Sequence, residues 1–229
     1  MKKAFLLSVA LAVTGCSTQT QMPLLISGET VLIRGNISEK TAIEFKDALS
    51  KRRISRVLVA TGGGLVEPSI EIAREIHDRG LEVEVVGDCF SSCANYIFPA
   101  GKTKVISGLG VVAWHGNINH LLYLHESGKK PLENDDLNLI KRLLKLEQEF
   151  FTSIGLDEFI CWFGKIDPYN VRNMYFLDAS DMSRFGLQNV SVRSGYASTD
   201  VDLYNPDGVE NLRYLKVDWN SFKKSKVQP

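Results

Sequence analysis

The chain has 229 residues, of which 44% are apolar and 24% charged, with 27 basic and 27 acidic side chains. That is enough material for one well-buried core and short of two full domains. Zero net charge argues against a polyanionic partner such as nucleic acid, and the basic clusters Lys51-Arg52-Arg53 and Lys223-Lys224-Ser225-Lys226 read as solvated surface.

Met1-Lys2-Lys3 is a basic start, and Ala4 to Val13 is an apolar run of signal-peptide length, too short to span a bilayer. It ends in Val13-Thr14-Gly15-Cys16, which resembles the bacterial lipoprotein cleavage box. The resemblance implies removal of residues 1–15 and lipid on Cys16. Ser rather than Asp at position 17 implies delivery to the outer membrane, facing the periplasm. Residues 16–29 read as a tether. Cys89, Cys93 and Cys161 then lie in an oxidising compartment; three is an odd number, so at most one bridge forms, with Cys89 and Cys93 as candidates.

Thr30–Arg34 and Arg56–Ala60 read as strands, with an amphipathic helix between them over 39–52. Ile70, Ala73 and Ile76 mark the buried stripe of a second helix that Gly80 closes. Glu82–Val86, Lys104–Ile106 and Val111–Trp114 are further strands, and His120 and His125 fall in a loop. A long helix over 135–153, a shorter one over 157–163 and a last strand over 187–192 follow, and residues 196–229 read as a loose extension. Strands alternating with crossover helices predict one α/β domain over 30–195 with a mostly parallel sheet.

Three segments could carry chemistry. Thr61-Gly62-Gly63-Gly64 follows a strand and precedes a helix, so its backbone can approach a ligand and aim N–H groups at it. Gly87–Gly101, "GDCFSSCANYIFPAG", sets Ser91 and Ser92 between two cysteines ahead of a helix, where a serine serves as a cap or as a nucleophile. His115 ends a strand, at the carboxyl edge where open α/β sheets hold their sites, 23 residues after Ser92. Zinc is a poor fit, because no His or Cys pair has a ligand spacing with supporting carboxylates.

"VATGGGLVEPSIEIA", "GDCFSSCANYIFPAGKTKVI" and "VVAWHG", in this order, resemble the proteolytic subunit of the Clp protease and its wider crotonase-like superfamily. The Cys-x-Ser-Ser-Cys arrangement is similar to a set of exported bacterial proteins of that fold. The resemblance covers residues 30–192 and implies a ββα superhelix and a serine hydrolase needing no cofactor. Gly64 matches its oxyanion-hole glycine and His115 its general base. Counting back from Gly101 makes Ser92 the nucleophile; counting forward from Gly87 or from the cysteines makes it Ser91. Ser92 is expected, since an extra residue is more easily absorbed in the loop before it than in a helix, where each residue turns side chains by about 100°. Cys93 would then donate the second oxyanion N–H; as a thiol nucleophile it would be excluded by a bridge to Cys89.

"YFLDASDMSRFGL" resembles the stretch after the family's catalytic aspartate, yet aligning "FGL" puts Met174 at that aspartate's position. Asn173, Asp178 and Asp181 are the nearby substitutes. Two functions follow: a hydrolase acting on a peptide or protein, or a non-catalytic lipoprotein binding such a partner through the groove or through the surface near Phe150, Phe151, Trp162 and Phe163. The membrane is touched through the lipid alone. The apolar face at Leu137, Ile140, Leu143, Leu144 and Phe151 predicts a homo-oligomer.

Overall fold

A computed structural model describes residues 24–197, 212–220 and 222. The signal segment, Cys16 and most of the tether lie outside the described residues. Among those described, no helix is long and apolar enough to cross a membrane.

The fold is α/β around a seven-stranded, mostly parallel sheet. Its order is β1 (Leu24–Ser27), β2 (Thr30–Arg34), β3 (Arg56–Thr61), β4 (Glu82–Phe90), β5 (Lys104–Ile106) and β8 (Val190–Val192), with β6 (Val111–Ala113) also on β4. Helix α1 (Glu39–Lys51) connects β2 to β3, and α2 (Val66–Asp78) connects β3 to β4. Alternate residues Val31, Ile33, Val57, Val59, Val83 and Val85 are fully buried, as are Phe45 of α1 and Ile72, Ala73 and Ile76 of α2. The period of two in the strands meets the helical stripes, and both surfaces leave water together.

Three boundaries differ from expectation. Residues 24–27 are not tether: they form β1, antiparallel to β2, through a tight turn that Gly28 makes with φ 57°. The edge strand has Leu24 buried but Leu25 and Ile26 exposed, so it shows no alternation to read. His120 and His125 lie on a helix, α4 (Ile118–Glu126), whose N-cap Asn117 accepts from the His120 amide. The extension is no loose tail where it is described: β9 (Leu212–Tyr214) pairs in parallel with β7 (Met174–Phe176), and Leu215, Val217 and Phe222 are buried.

The long helix is α5 (Asn134–Ile154), and the shorter one resolves into two 3₁₀ turns, Glu158–Cys161 and Phe163–Lys165. The face of α5 expected to meet a second copy is largely used within the subunit. Ile140, Phe150 and Phe151 are buried and Leu137, Leu143 and Leu144 half-buried against the chain's own surface. Phe163 is likewise core, and of this cluster only Trp162 is partly exposed.

One irregularity positions the candidate site. Strand β4 pairs with β5 along Val83–Val85 and with β6 along Asp88–Phe90. Against β3 its register jumps: Val59 faces Val85, but Thr61 faces Cys89. Two extra residues on β4 therefore bulge out around Gly87, where a Cβ would come within 3.1 Å of the Ala60 Cβ. The bulge carries the end of β4 to the glycine turn after β3.

Candidate active site

The serine segment is closed by a disulfide between Cys89 and Cys93, which removes Cys93 as a thiol nucleophile. Cys161 is free and buried. After β4 the chain turns sharply at Ser91, whose φ of 56° is a left-handed conformation that L-residues seldom adopt. It then runs directly into a π-helical turn over Cys93–Ile97, in which the Phe98 amide donates to the Cys93 carbonyl, and into a short α3 (Phe98–Ala100).

That π turn bears on the two ways of counting to the serine. An i→i+5 bond accommodates one residue more than an α-turn. An extra residue has room after the serines, in the helix, which the count back from Gly101 does not allow for. The count forward from Gly87 and Cys89, which gives Ser91, does not pass through that turn. The surroundings of the two serines also differ. Ser92 is 3% exposed, its Oγ donates to the Gly64 carbonyl at 2.6 Å, and it accepts from the Gly64 amide at 3.3 Å. It clasps the glycine turn to the serine helix. Ser91 is half-buried, and its hydroxyl makes no hydrogen bond among the described residues.

The glycine turn lies directly on this segment. A Cβ at Gly63 would come within 2.7 Å of the Phe90 carbonyl, 2.9 Å of the Ser91 Cβ and 3.0 Å of the Ser92 amide nitrogen. Only glycine leaves space in front of that amide. The N–H groups of Ser92 and Cys93 open the helix and have no acceptor among the described residues. The Gly64 amide, expected in an oxyanion hole, is engaged by the Ser92 hydroxyl, whereas the Ser92 amide and the expected Cys93 amide are free donors among the described residues.

His115 follows β6, whose Ala113 pairs with Phe90 of β4, so Ser91 and His115 leave adjacent parallel strands at their carboxyl ends. The Ser91 amide still donates to the Ala113 carbonyl at 3.3 Å, and Asn95 Nδ2 donates to the Gly116 carbonyl at 2.9 Å. These bonds tie the serine turn to the histidine loop. His115 itself is exposed and makes no hydrogen bond to either serine. Its pKa lies below 6.5, chiefly because the surrounding protein displaces water, and also because the Lys165 ammonium opposes an imidazolium. That shift favours the neutral imidazole. His120 is buried, stacked on Trp162 with ring centres 5.7 Å apart, and burial lowers its pKa to about 4.

Among the described residues, no acceptor is hydrogen-bonded to the His115 ring. Trp114 and Tyr175 exchange both backbone hydrogen bonds in an antiparallel bridge, which sets Met174 opposite His115 in register. Asn173 lends its backbone carbonyl to Lys165 Nζ at 2.9 Å. Asp178 caps α6 (Ala179–Arg184) and bonds Lys216 at 2.6 Å; that ammonium and its other donors outweigh the effect of burial and hold its carboxyl at about 2. Asp181 is buried and accepts from the Val217 amide at 3.0 Å and Trp219 Nε1 at 2.7 Å. Both aspartates fasten the C-terminal segment, and neither reaches His115.

Sequence reasoning missed one further cluster. Glu147 of α5 is 1% exposed and bonds Tyr96 of the serine helix and the start of α4. Its signal was present: a lone carboxylate in the apolar stripe Ile140, Leu143, Leu144, Phe150 and Phe151.

No family model matches this chain, and no curated protein matches it in sequence.

Proposed function

We propose that this chain is a lipid-anchored serine hydrolase of the bacterial cell envelope, of peptidase type, with Ser91 as nucleophile and His115 as general base. The Ser91 turn carries the reading. A free, half-exposed hydroxyl sits on a strained strand-to-helix turn, with the unpaired Ser92 amide beside it and a glycine keeping that amide open. Such strain persists where the surroundings over-determine it, and it clusters at functional sites. Ser91 Oγ attacks the acyl carbon while His115 takes its proton. The Ser92 N–H holds the developing oxyanion, and the Gly64 N–H joins it when the Ser92 hydroxyl turns aside. His115 then protonates the leaving amine, and water releases the acyl group from Ser91. No cofactor enters. The Clp-protease-like, crotonase-like superhelix is the fold we assign, on the order of the three motifs and on the glycine turn seated against the serine segment.

The envelope assignment rests on the Cys16 box, and the Cys89–Cys93 disulfide suits an oxidising compartment. The acceptor that His115 lacks favours a second reading, a lipoprotein that binds a peptide or protein partner in the same groove without turnover. A fluorophosphonate probe on the full-length chain in detergent separates the two. The hydrolase reading expects covalent labelling that His115→Ala reduces by about 100-fold or more, the scale of a lost general base. Absence of labelling between pH 6 and 9 would leave the binding reading.

A further inference from the structure

The buried carboxylate of Glu147 meets four donors and no acceptor. Its Oε1 accepts from the Tyr96 hydroxyl at 2.6 Å and the Ile118 amide at 3.4 Å; its Oε2 accepts from Asn117 Nδ2 at 3.2 Å and the Asn119 amide at 3.3 Å. Two of these are main-chain groups in the first turn of α4, which have no partner inside their own helix. Tyr96 lies on the serine helix, one residue past the Asn95 that holds the Gly116 carbonyl. Asn117 lies two residues past His115. A single side chain of α5 therefore bonds the helix that follows Ser91 and the start of the helix that follows His115. An ionised carboxylate offers lone pairs to all four donors, whereas a carboxylic acid would turn one O–H toward a ring of donors.

We propose that Glu147 is a positioning residue: its carboxylate ties the Ser91 helix to the His115 loop from behind the site, and it loses that hold on protonation. The catalytic consequence rests on the Ser91–His115 reading, while the clamp can be measured apart from it. The titratable groups facing Glu147 are Tyr96, Glu158 and Cys161. Burial keeps the phenol and the thiol neutral, and Glu158 bonds Asn117 Nδ2 and Asn119 Nδ2, each at 2.5 Å. Burial first, and then the Glu158 charge, raise Glu147 to about 7 against the pull of its donors. The folded state thus holds a proton that the unfolded state has released between about pH 4.5 and 7, so Glu147 makes folding less favourable as pH rises through that window. The ionised form costs stability and gives a fixed site.

The test compares the full-length wild type with Glu147→Gln and Tyr96→Phe. Glutamine keeps the shape but sets an NH₂ group against donors; phenylalanine removes only the link to the serine helix. Labelling of the wild type is expected to fall in two steps on acidification, one near pH 7 from Glu147 and one below pH 6.5 from His115. Glu147→Gln should lose the upper step and label about tenfold more slowly at pH 8, and Tyr96→Phe should also label more slowly, since small misplacements of reacting groups are costly. Hydrogen exchange at the Ile118 and Asn119 amides should quicken in Glu147→Gln. If the wild type does not label, the hydrolase reading fails and amide exchange alone judges the clamp. Unchanged exchange, or an unchanged two-step profile in Glu147→Gln, overturns the proposal.

Discussion

Met174→Asp is expected to raise the rate at which Ser91 is acylated, by about 100-fold or more. Met174 stands opposite His115 across the Trp114–Tyr175 bridge and is half-buried, so a carboxylate there would share a face with the imidazole without full desolvation. An orienting carboxylate fixes the tautomer of the base and stabilises the imidazolium, and removing one costs about 10⁴ in rate in the best-studied triad. It would also raise the His115 pKa, so the acid limb of the rate should move to higher pH. Lys165 competes, since its Nζ already bonds the carbonyls of Arg172 at 2.7 Å and Asn173 at 2.9 Å. Met174→Asp combined with Lys165→Met should therefore exceed Met174→Asp alone, and Met174→Asn should gain less than either. Probe-labelling rates across pH check all three; a rate unmoved by every variant would mean that His115 is not the base.

Gly64→Ala is expected to destabilise the protein by about 3 kcal/mol, the upper end of overpacking costs. A methyl at Gly64 would fall 2.1 Å from the Ile37 carbonyl oxygen and 2.5 Å from the Ile37 amide nitrogen. These are backbone atoms held by two bonds, Ile37 N–H to the Gly63 carbonyl at 2.8 Å and Leu65 N–H to the Ile37 carbonyl at 2.9 Å. No rotamer change relieves the contact, so the turn itself must move. Gly62→Ala is the control: its added methyl meets nothing within 4 Å, and the change should stay within about 0.5 kcal/mol. Chemical denaturation of both variants decides it, and equal stabilities would show that the turn is not packed as described.

The sheet was legible because its central strands alternate and the α2 stripe repeats at helical spacing. The glycine turn, the serine segment and the histidine strand were legible as motifs, each placed by a strand end. What escaped depends on contacts distant along the chain. Asp178 and Asp181 looked available because their partners, Lys216, Val217 and Trp219, lie in a segment whose docking leaves no periodic pattern. Helix α4 is marked by Asn117, a cap that a nine-residue helix does not make obvious. The two ways of counting to the serine are separated by a π turn, which periodicity at 3.6 residues does not reveal. Ser92 is expected on the ground that a helix resists an extra residue, and a π turn is a helix that accommodates one.

The central claim is that Ser91, free at the strained turn, is the reactive hydroxyl, and Ser92 is the clasp on Gly64. Peptide mapping of the fluorophosphonate adduct by tandem mass spectrometry, on the wild type and on Ser91→Ala and Ser92→Ala, tests it most directly. The adduct should sit on Ser91, vanish in Ser91→Ala and persist in Ser92→Ala. An adduct on Ser92 that survives Ser91→Ala would contradict the account.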